Sequence, residues 1–529
     1  DAANKVVLAP TGGTSFLRFT DDLVFGRTIA LGNTADTRQL EVAAGKTVTL
    51  TSAFDVTAGA TAALVKQATG TLVLGADNTG WSGQFNINQG VVQVSAANQL
   101  TSGKINVGGM TAALELAGGV TLANAVDLTS TGNWANITGI DSAGAIRATA
   151  GVNTITGTLT LANARPNSDN ANRYFGVGAD VGATLTLGAI RLDNASGNTN
   201  RNSFLYFLGK GTINLNGTVD NTNGSPGNHF VYQIDDNILN VTSANTFLDT
   251  NFRIFRGVTN LTGAGTLGSV ASRPVVIYQD GKLVLDNTLT NTANRLGTAN
   301  RNLDMRGGVL EVIPNAAGTS NVTSAVMTVF AGGSTINLLA GGNNELKFGS
   351  LGTSGGGTLN LTGTFGTSTN KLTFNTAPGQ SNGLIPRLTV NGDSFATYSS
   401  SNGVIAFTAY SSAQNILSAS ATATYQATSS KANALTGAQS ISALALTSDG
   451  VAGPNLSGLG GLNPSTLTIT SGAVLVNGTG TGSTLAVPVV AFAGAEAIFH
   501  TAAGQTLSIN SSMTGTNGMT TSLPGTVVL

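Results

Sequence analysis

The sequence predicts an all-β chain that folds as a parallel β-solenoid, a right-handed β-helix with the form of an elongated rod. Two observations lead to this prediction. Short segments of alternating aliphatic and polar residues recur along the 529 residues, each ended by Gly, Asn or Asp. Their motifs also recur at similar intervals, which is typical of stacked repeats. An antiparallel sandwich or a propeller is the alternative, because both also consist of many short strands.

The segment 70–94 shows the strand pattern most clearly. It contains three short runs with a period of two residues, separated by turn-forming residues such as Asn78 and Gly80. Leu72 and Leu74 occupy alternate positions in the first run, and Leu359 repeats this arrangement later in the chain. Because successive side chains of a strand point to opposite faces, we expect these aliphatic residues to point into the coil.

Two motifs indicate the length of the repeat. A strand that opens on threonine begins at Thr158, Thr184 and Thr212, at intervals of 26 and 28 residues. A second motif, which opens on glycine, places Gly281 and Gly308 27 residues apart. The sequence therefore predicts coils of roughly 20 to 30 residues whose strands stack at about 4.8 Å per coil.

Composition excludes several functional classes. Charged residues make up only 9 % of the chain, against roughly 25 % in a typical soluble protein, while a hydrophobic content of 41 % excludes disorder. A net charge of −1 provides no field that would attract nucleic acid. The absence of cysteine excludes disulfides and thiolate chemistry, and no apolar run is long enough to span a membrane.

The chain changes character near residue 380. A turn-rich segment occupies 376–383, and charged residues become rare beyond Arg387. We therefore predict a β-solenoid with repeats over 1–380 and a second β-solenoid module over 381–529, continuous with or abutting the first.

Segment 70–100 resembles the autotransporter-associated β-strand repeat, also called the passenger-associated transport repeat. The resemblance rests on Gly-Thr-Leu-Val-Leu at 70–74, on Trp81 between Asn78 and Gly83, and on Gly-Val-Val-Gln-Val at 90–94. Gly80 is an extra residue before the aromatic. The segments 384–410 and 500–509 are similar to a module of very large bacterial surface proteins of this class. The resemblance implies an exported β-helix, extracellular or displayed on the bacterial cell surface, and it carries no catalytic residues.

Groups suited to catalysis or metal binding are sparse. Asp235 and Asp236, with His229 nearby, come closest to an acid–base pair, but adjacent residues of a strand point to opposite faces. His229 and His500 are the only histidines, which leaves little for a metal site or a catalytic triad. We predict no enzymatic activity, no cofactor and no metal. A carbohydrate-active β-helix, such as a lyase or a hydrolase, is the alternative.

The middle of the chain is rich in aromatic residues and arginine. Tyr174, Tyr206, Tyr232 and Arg253 are the candidate glycan-facing residues, because aromatic rings stack on sugars and guanidinium groups bond hydroxyls. Five further arginines accompany them: Arg165, Arg173, Arg191, Arg201 and Arg256. The alternative is a stack of core aromatics with Arg–Asp pairs between neighbouring coils.

The last residues, 525–529, match the opening of another repeat strand, so we expect either more chain or a second subunit to pair with that edge. The sequence as a whole predicts a structural or adhesive surface protein, a subunit of a stalk, filament or sheath that self-assembles end to end or side by side. A glycan-binding adhesin without catalysis is a further alternative, with cell-surface glycans as partners.

Overall fold

The computed structural model describes residues 4–8, 13–32, 37–56, 62–109, 111–130, 143–163, 173–192, 203–220, 229–244, 250–268, 273–297, 301–450, 452–480 and 482–529. Contacts divide the chain into two compact units. Unit 1 comprises residues 1–276, 281–284 and 295–301, and unit 2 comprises residues 277–280, 285–294 and 302–529.

The strands of unit 1 are β1 Val6–Val7, β2 Thr14–Phe19, β3 Leu23–Phe25, β4 Ile29–Ala30, β5 Thr37–Val42, β6 Thr47–Leu50, β7 Leu64–Gln67, β8 Thr71–Leu74, β9 Phe85–Ile87, β10 Gly90–Val94, β11 Ile105–Gly108, β12 Ala112–Ala117, β13 Thr121–Leu122, β14 Val126–Ser130, β15 Ile146–Ala150, β16 Val152–Ile155, β17 Leu159–Asn163, β18 Arg173–Ala179, β19 Thr184–Leu187, β20 Ile190–Leu192, β21 Ser203–Gly209, β22 Thr212–Leu215, β23 Val219–Asp220, β24 His229–Gln233, β25 Ile238–Val241 and β26 Thr250–Leu261. The residues of β27, Val275–Asp286, are shared between the two units.

The strands of unit 2 are β28 Leu303–Arg306, β29 Val309–Ile313, β30 Thr319–Val329, β31 Gly333–Leu338, β32 Asn343–Thr353, β33 Thr358–Gly363, β34 Asn370–Phe374, β35 Ile385–Val390, β36 Ser394–Ser399, β37 Gly403–Ala406, β38 Thr424–Ala427, β39 Ala434–Leu435, β40 Gln439–Ile441, β41 Ala443–Ser448, β42 Asn455–Gly458, β43 Thr466–Ile469, β44 Ala473–Gly478, β45 Ser483–Ala486, β46 Val489–Ala491, β47 Ala497–Thr501, β48 Thr506–Ile509, β49 Ser512–Thr514, β50 Met519–Ser522 and β51 Thr526–Val528. Short 3₁₀ turns occur at Ala97–Gln99 and Ile416–Ser418. Within the described ranges, no helix has the length and apolar character needed to cross a membrane.

Each coil of unit 1 contributes up to three strands, and each strand pairs in parallel with its counterpart in the next coil. Strands β18, β19 and β20 form one coil, and they pair with β21, β22 and β23 respectively. The described residues stack in about 18 such turns over the chain, and strands account for 56 % of the structure. The predicted parallel β-solenoid is therefore confirmed, and the antiparallel sandwich is not the fold.

The core is a set of columns of aliphatic side chains inside the coils. Val48, Leu72, Val92 and Leu114 stand in register on four successive coils, and all four are fully buried. The predicted inward alternation is confirmed, because Leu72 and Leu74 are both buried while Val73 between them is partly exposed. Removing such a column from water supplies the main driving force for stacking.

The repeat is less regular than the motif intervals indicated. Thr184 and Thr212 do stand in register, so their spacing is a true coil length. Thr158, however, precedes β17, whose partner in the next coil is β20 and not β19. Thr184 instead lies beside Val152, 32 residues earlier. The corners of this coil hold more residues, since the turn between β18 and β19 spans 180–183 and that between β21 and β22 only 210–211.

An antiparallel hairpin interrupts the parallel order of unit 2. Strand β35 pairs antiparallel with β36, and β36 pairs antiparallel with β37. Asn391 and Gly392 form the first turn with φ of 54° and 69°, the left-handed conformation that tight hairpins favour at Asn-Gly. Parallel coils resume with β38 and continue in three sheets to β51. The hairpin begins close to the predicted boundary at 380, and the two predicted modules stay a prediction.

Candidate functional site on the outer face of unit 1

The four candidate residues lie on consecutive strands of one sheet. Tyr174 belongs to β18, Tyr206 to β21, Tyr232 to β24 and Arg253 to β26. Tyr206, Tyr232 and Arg253 occupy the same register position on successive coils. Parallel pairing thus brings together residues that are 21 to 32 positions apart in the chain.

Six aromatic side chains form a continuous outer group, which we call the aromatic ladder. Its members are Tyr174, Phe204, Tyr206, Phe230, Tyr232 and Phe255. The alternate positions, Phe175, Phe207 and Phe252, are fully buried inside the coils. The prediction that these aromatics form a core stack therefore holds for only one face of the sheet.

Ring stacking in the ladder occupies the faces that a sugar would need. Phe204 lies between Tyr174 and Phe230, with ring centroids 4.9 Å and 4.5 Å away and interplanar angles of 14° and 5°. Tyr206 and Tyr232 meet edge to face at 5.4 Å. Each such contact contributes about 0.5–1.5 kcal/mol beyond burial alone. The geometry therefore suits adhesion between coils better than stacking on a ligand.

Arg253 closes one end of the ladder. Its guanidinium carbon lies 5.3 Å from the ring centroid of Tyr232 and 5.9 Å from that of Phe230, so both rings engage the cation. Burial, together with the neighbouring Tyr232 and Tyr174, raises the pKa of Tyr206 well above its ordinary value. The phenol of Tyr206 therefore stays neutral at physiological pH.

The other arginines of this region do not all join the ladder. Arg256 is exposed on β26, and Arg191 lies on β20, in a different sheet. Arg165 and Arg201 lie outside the described residues, and the side chain of Arg173 is not described either.

Ion pairs between coils do occur in unit 1. Arg147 contacts Asp180 of the following coil at 2.8 Å and Glu115 of the preceding coil at 3.5 Å. Burial raises the pKa of Glu115, while the charge of Arg147 lowers it. These pairs link neighbouring coils, but Arg147 is not one of the arginines for which Arg–Asp pairing was predicted, so that alternative stays a prediction.

The two adjacent aspartates, Asp235 and Asp236, have different environments. Asp235 accepts a hydrogen bond from the backbone nitrogen of Gly209 at 2.8 Å, so its carboxylate supports a turn of the preceding coil. Asp236 is exposed, and His229 is buried at the start of β24. This arrangement lacks the two facing carboxylates that hydrolysis of a glycosidic bond requires.

His500 has a structural environment in unit 2. It is fully buried, and its Nε2 lies 2.8 Å from the carbonyl oxygen of Pro386, to which it donates. Burial lowers the pKa of His500 to about 4. In the part of the chain that the structure describes, no three His, Cys, Asp or Glu side chains group as metal ligands would.

No protein-family model matches the chain, and comparison with curated proteins and with solved structures finds no match. The likeness to the autotransporter-associated repeat therefore rests on its sequence motifs alone and stays a hypothesis.

Proposed function

We propose that the chain is a structural segment of an exported bacterial surface protein, a stiff element of a stalk, filament or sheath that performs no catalysis. The supporting observation is that side chains on the outer face bond one coil to the next, in addition to the backbone. A surface that serves to hold coils together suits a mechanical role.

Asparagine ladders illustrate this bonding. The Nδ2 of Asn240 donates to Oδ1 of Asn214 at 2.8 Å, and Nδ2 of Asn260 donates to Oδ1 of Asn240 at 2.8 Å. A second ladder joins Asn86 to Asn106. Amide ladders of this kind strengthen stacked parallel strands, because each amide both donates and accepts.

The composition agrees with exposure to a protease-rich exterior. Lys431 is the only lysine or arginine after Arg387, so trypsin-like proteases meet few cleavage sites there. Main-chain bonds between coils further protect the strands, since cleavage requires local opening.

Labelling of intact cells tests this proposal. Antibodies raised against the purified chain should label unpermeabilised cells of the producing organism, and external proteinase K should remove the label while a cytoplasmic marker survives. Label that appears only after permeabilisation would contradict the surface role.

Electron microscopy tests the proposed self-assembly, and an activity screen tests the proposed absence of catalysis. We expect the purified chain to associate end to end or side by side, and we expect no turnover of soluble polysaccharides. Dispersed monomers at all concentrations would contradict self-assembly, and polysaccharide cleavage lost in an Asp235→Asn variant would favour the enzyme alternative.

A further inference from the structure

Unit 2 carries a polar groove on the outer face of its coils. The groove has a volume of about 540 Å³ and is lined by Gln279, Thr335, Asn360 and Thr362 on one side and by segment 521–524, the end of β50 and the two residues after it, on the other. This volume falls within the roughly 300–1,000 Å³ range of small-ligand sites.

The floor of the groove is a ladder of threonine and asparagine. Thr335 and Asn360 stand side by side on β31 and β33. Oδ1 of Asn360 accepts from the hydroxyl of Thr389 at 3.0 Å and from the backbone nitrogen of Gly392 at 2.9 Å. These two hydrogen bonds fix the orientation of the Asn360 side-chain amide. Its Nδ2 therefore points away from the two donors and can itself donate a hydrogen bond.

The opposite wall places an apolar pair, Leu523 and Pro524, beside Thr521 and Ser522, and its backbone is strained at Leu523. Leu523 has φ of 69°, a left-handed conformation that costs a non-glycine residue about 1–2 kcal/mol. Pro524 follows it and also lines the groove. A second cavity of about 280 Å³ shares Asn360, Leu523 and Pro524 with the first, so the two lie next to each other. Backbone strain of this kind is concentrated at ligand sites.

The chemistry of the lining selects among ligands. Among the described residues that line the two cavities, Asp393 is the only charged one, and it lies in the smaller cavity. A carboxylate at this end disfavours anionic ligands. Hydroxyl and amide groups on the floor, facing an apolar wall of leucine and proline, match a ligand that is neutral, rich in hydroxyls and apolar on its C–H faces.

We propose that this groove binds a neutral oligosaccharide. Thr335 and Asn360 place a hydroxyl and an amide on two adjacent coils, about 4.8 Å apart, so that two neighbouring sugar rings can each bond one of them. The C–H faces of the sugars pack on Leu523 and Pro524. This site differs from the aromatic ladder, whose ring faces are already occupied.

Saturation-transfer NMR on the full chain tests the site with named probes: cellotriose, maltotriose, N,N′,N″-triacetylchitotriose and, as the anionic comparison, trigalacturonic acid. At least one neutral trisaccharide should show transfer at millimolar concentration, and trigalacturonic acid should show none. Absence of transfer to every neutral probe, or preferential transfer to the anionic one, overturns the proposal.

Two variants locate the binding. Gly333→Phe adds a ring at an exposed groove position, where a Cβ meets only Thr358 Oγ1 at 3.8 Å, and should abolish binding. Thr335→Val removes one hydroxyl and should weaken binding about five-fold. The matched controls Gly437→Phe and Thr468→Val, which do not line the groove, should leave affinity unchanged.

Equal affinity in all four variants overturns the placement of the site. Circular dichroism of each variant establishes that it is folded. A negative result here leaves surface labelling and self-assembly untouched, so failure of this inference is distinguishable from failure of the structural role.

Discussion

Unit 1 and the last coils of unit 2, residues 424–528, use different side chains to donate hydrogen bonds to equivalent backbone carbonyls at the corners of their coils. In unit 1, Arg295 is fully buried and donates to the carbonyl oxygens of Gly265 and Gly263 at 2.8 Å and 2.9 Å. In the last coils, Gln505 is buried and donates to the carbonyl oxygens of Gly478 and Gly480 at 3.0 Å and 2.8 Å.

Both side chains bridge two carbonyls that are two residues apart on the preceding coil. Asn124 does the same with the carbonyls of Thr101 and Gly103, at 2.8 Å and 2.6 Å. Because a tight corner turns these carbonyls away from the strand ladders, a donor from the next coil must satisfy them. The corner therefore requires a side chain long enough to donate to both carbonyls, and this side chain can be either neutral or positively charged. The comparison predicts which corners are costly to disturb.

The largest effect is expected at Arg295. Replacing it with methionine removes two charge-assisted hydrogen bonds and leaves buried carbonyls unsatisfied, so the free energy of unfolding should fall by about 4 kcal/mol. Chemical denaturation followed by circular dichroism measures this change. Arg27→Met, at an exposed arginine, is the matched control and should change stability by less than about 0.5 kcal/mol. Equal effects of the two variants would break the comparison.

The next effect is a pH dependence in the last coils. His500 titrates at about 4 when folded and at 6.5 ordinarily, so between these values the unfolded chain binds a proton that the folded chain does not. Lowering the pH from 6.5 to 4 should therefore reduce the free energy of unfolding by up to about 3 kcal/mol.

His500→Gln isolates this contribution, because glutamine retains a donor for the Pro386 carbonyl and does not titrate. Denaturation curves of both proteins at pH 7, 5.5 and 4 should diverge as the pH falls. Parallel loss of stability in both proteins would show that other groups cause the acid sensitivity.

A smaller effect is expected at Gln505. Its two hydrogen bonds are neutral, so Gln505→Leu should cost about 2 kcal/mol, roughly half the cost at Arg295. The buried Oε1 of Gln505 has no partner among the described residues, and its removal offsets part of the loss. If denaturation shows a cost equal to or above that of Arg295→Met, charge is not what separates the two regions.

The smallest effect is the alkaline response of unit 1. Nζ of Lys66 donates to the carbonyl oxygens of Gln67, Ala68 and Gln89 at 2.9, 2.6 and 3.2 Å. Burial lowers the pKa of Lys66 to about 8, and the charge of Glu41 opposes this. Above pH 8 the unfolded chain therefore binds more protons, and stability should rise by about 1 kcal/mol between pH 8 and pH 9. Urea denaturation should show this rise in the native chain and not in Lys66→Met.

The strands and the direction of their side chains could be predicted from the sequence because both depend on local alternation. Leu72 and Leu74 point inward as their period of two requires. The partners of each strand were harder to predict, since connections of unequal length separate equivalent positions. Thr158 and Thr184 share a motif, yet Thr158 precedes a strand of one sheet and Thr184 begins a strand of another.

The candidate sites show the same limit. The composition located the aromatic region. Whether its ring faces are free for a ligand depends on the strand register, which stacks Tyr174, Phe204 and Phe230 on one another. The groove had no sequence signal at all, because Thr335 and Asn360 meet segment 521–524 only through tertiary packing. The buried roles of Arg295 and Lys66 were also invisible, since a lone cation in a sequence is most often exposed.

Cysteine cross-linking tests the parallel stacking of coils most directly, because the native chain has no cysteine. Asn214 and Asn240 are in register on adjacent coils, whereas Asn216 is two residues out of register with Asn240. The account predicts that the pair Asn214→Cys and Asn240→Cys forms a disulfide under mild oxidation, and that Asn216→Cys with Asn240→Cys does not. Efficient oxidation of the second pair and none of the first would contradict the register and, with it, the solenoid.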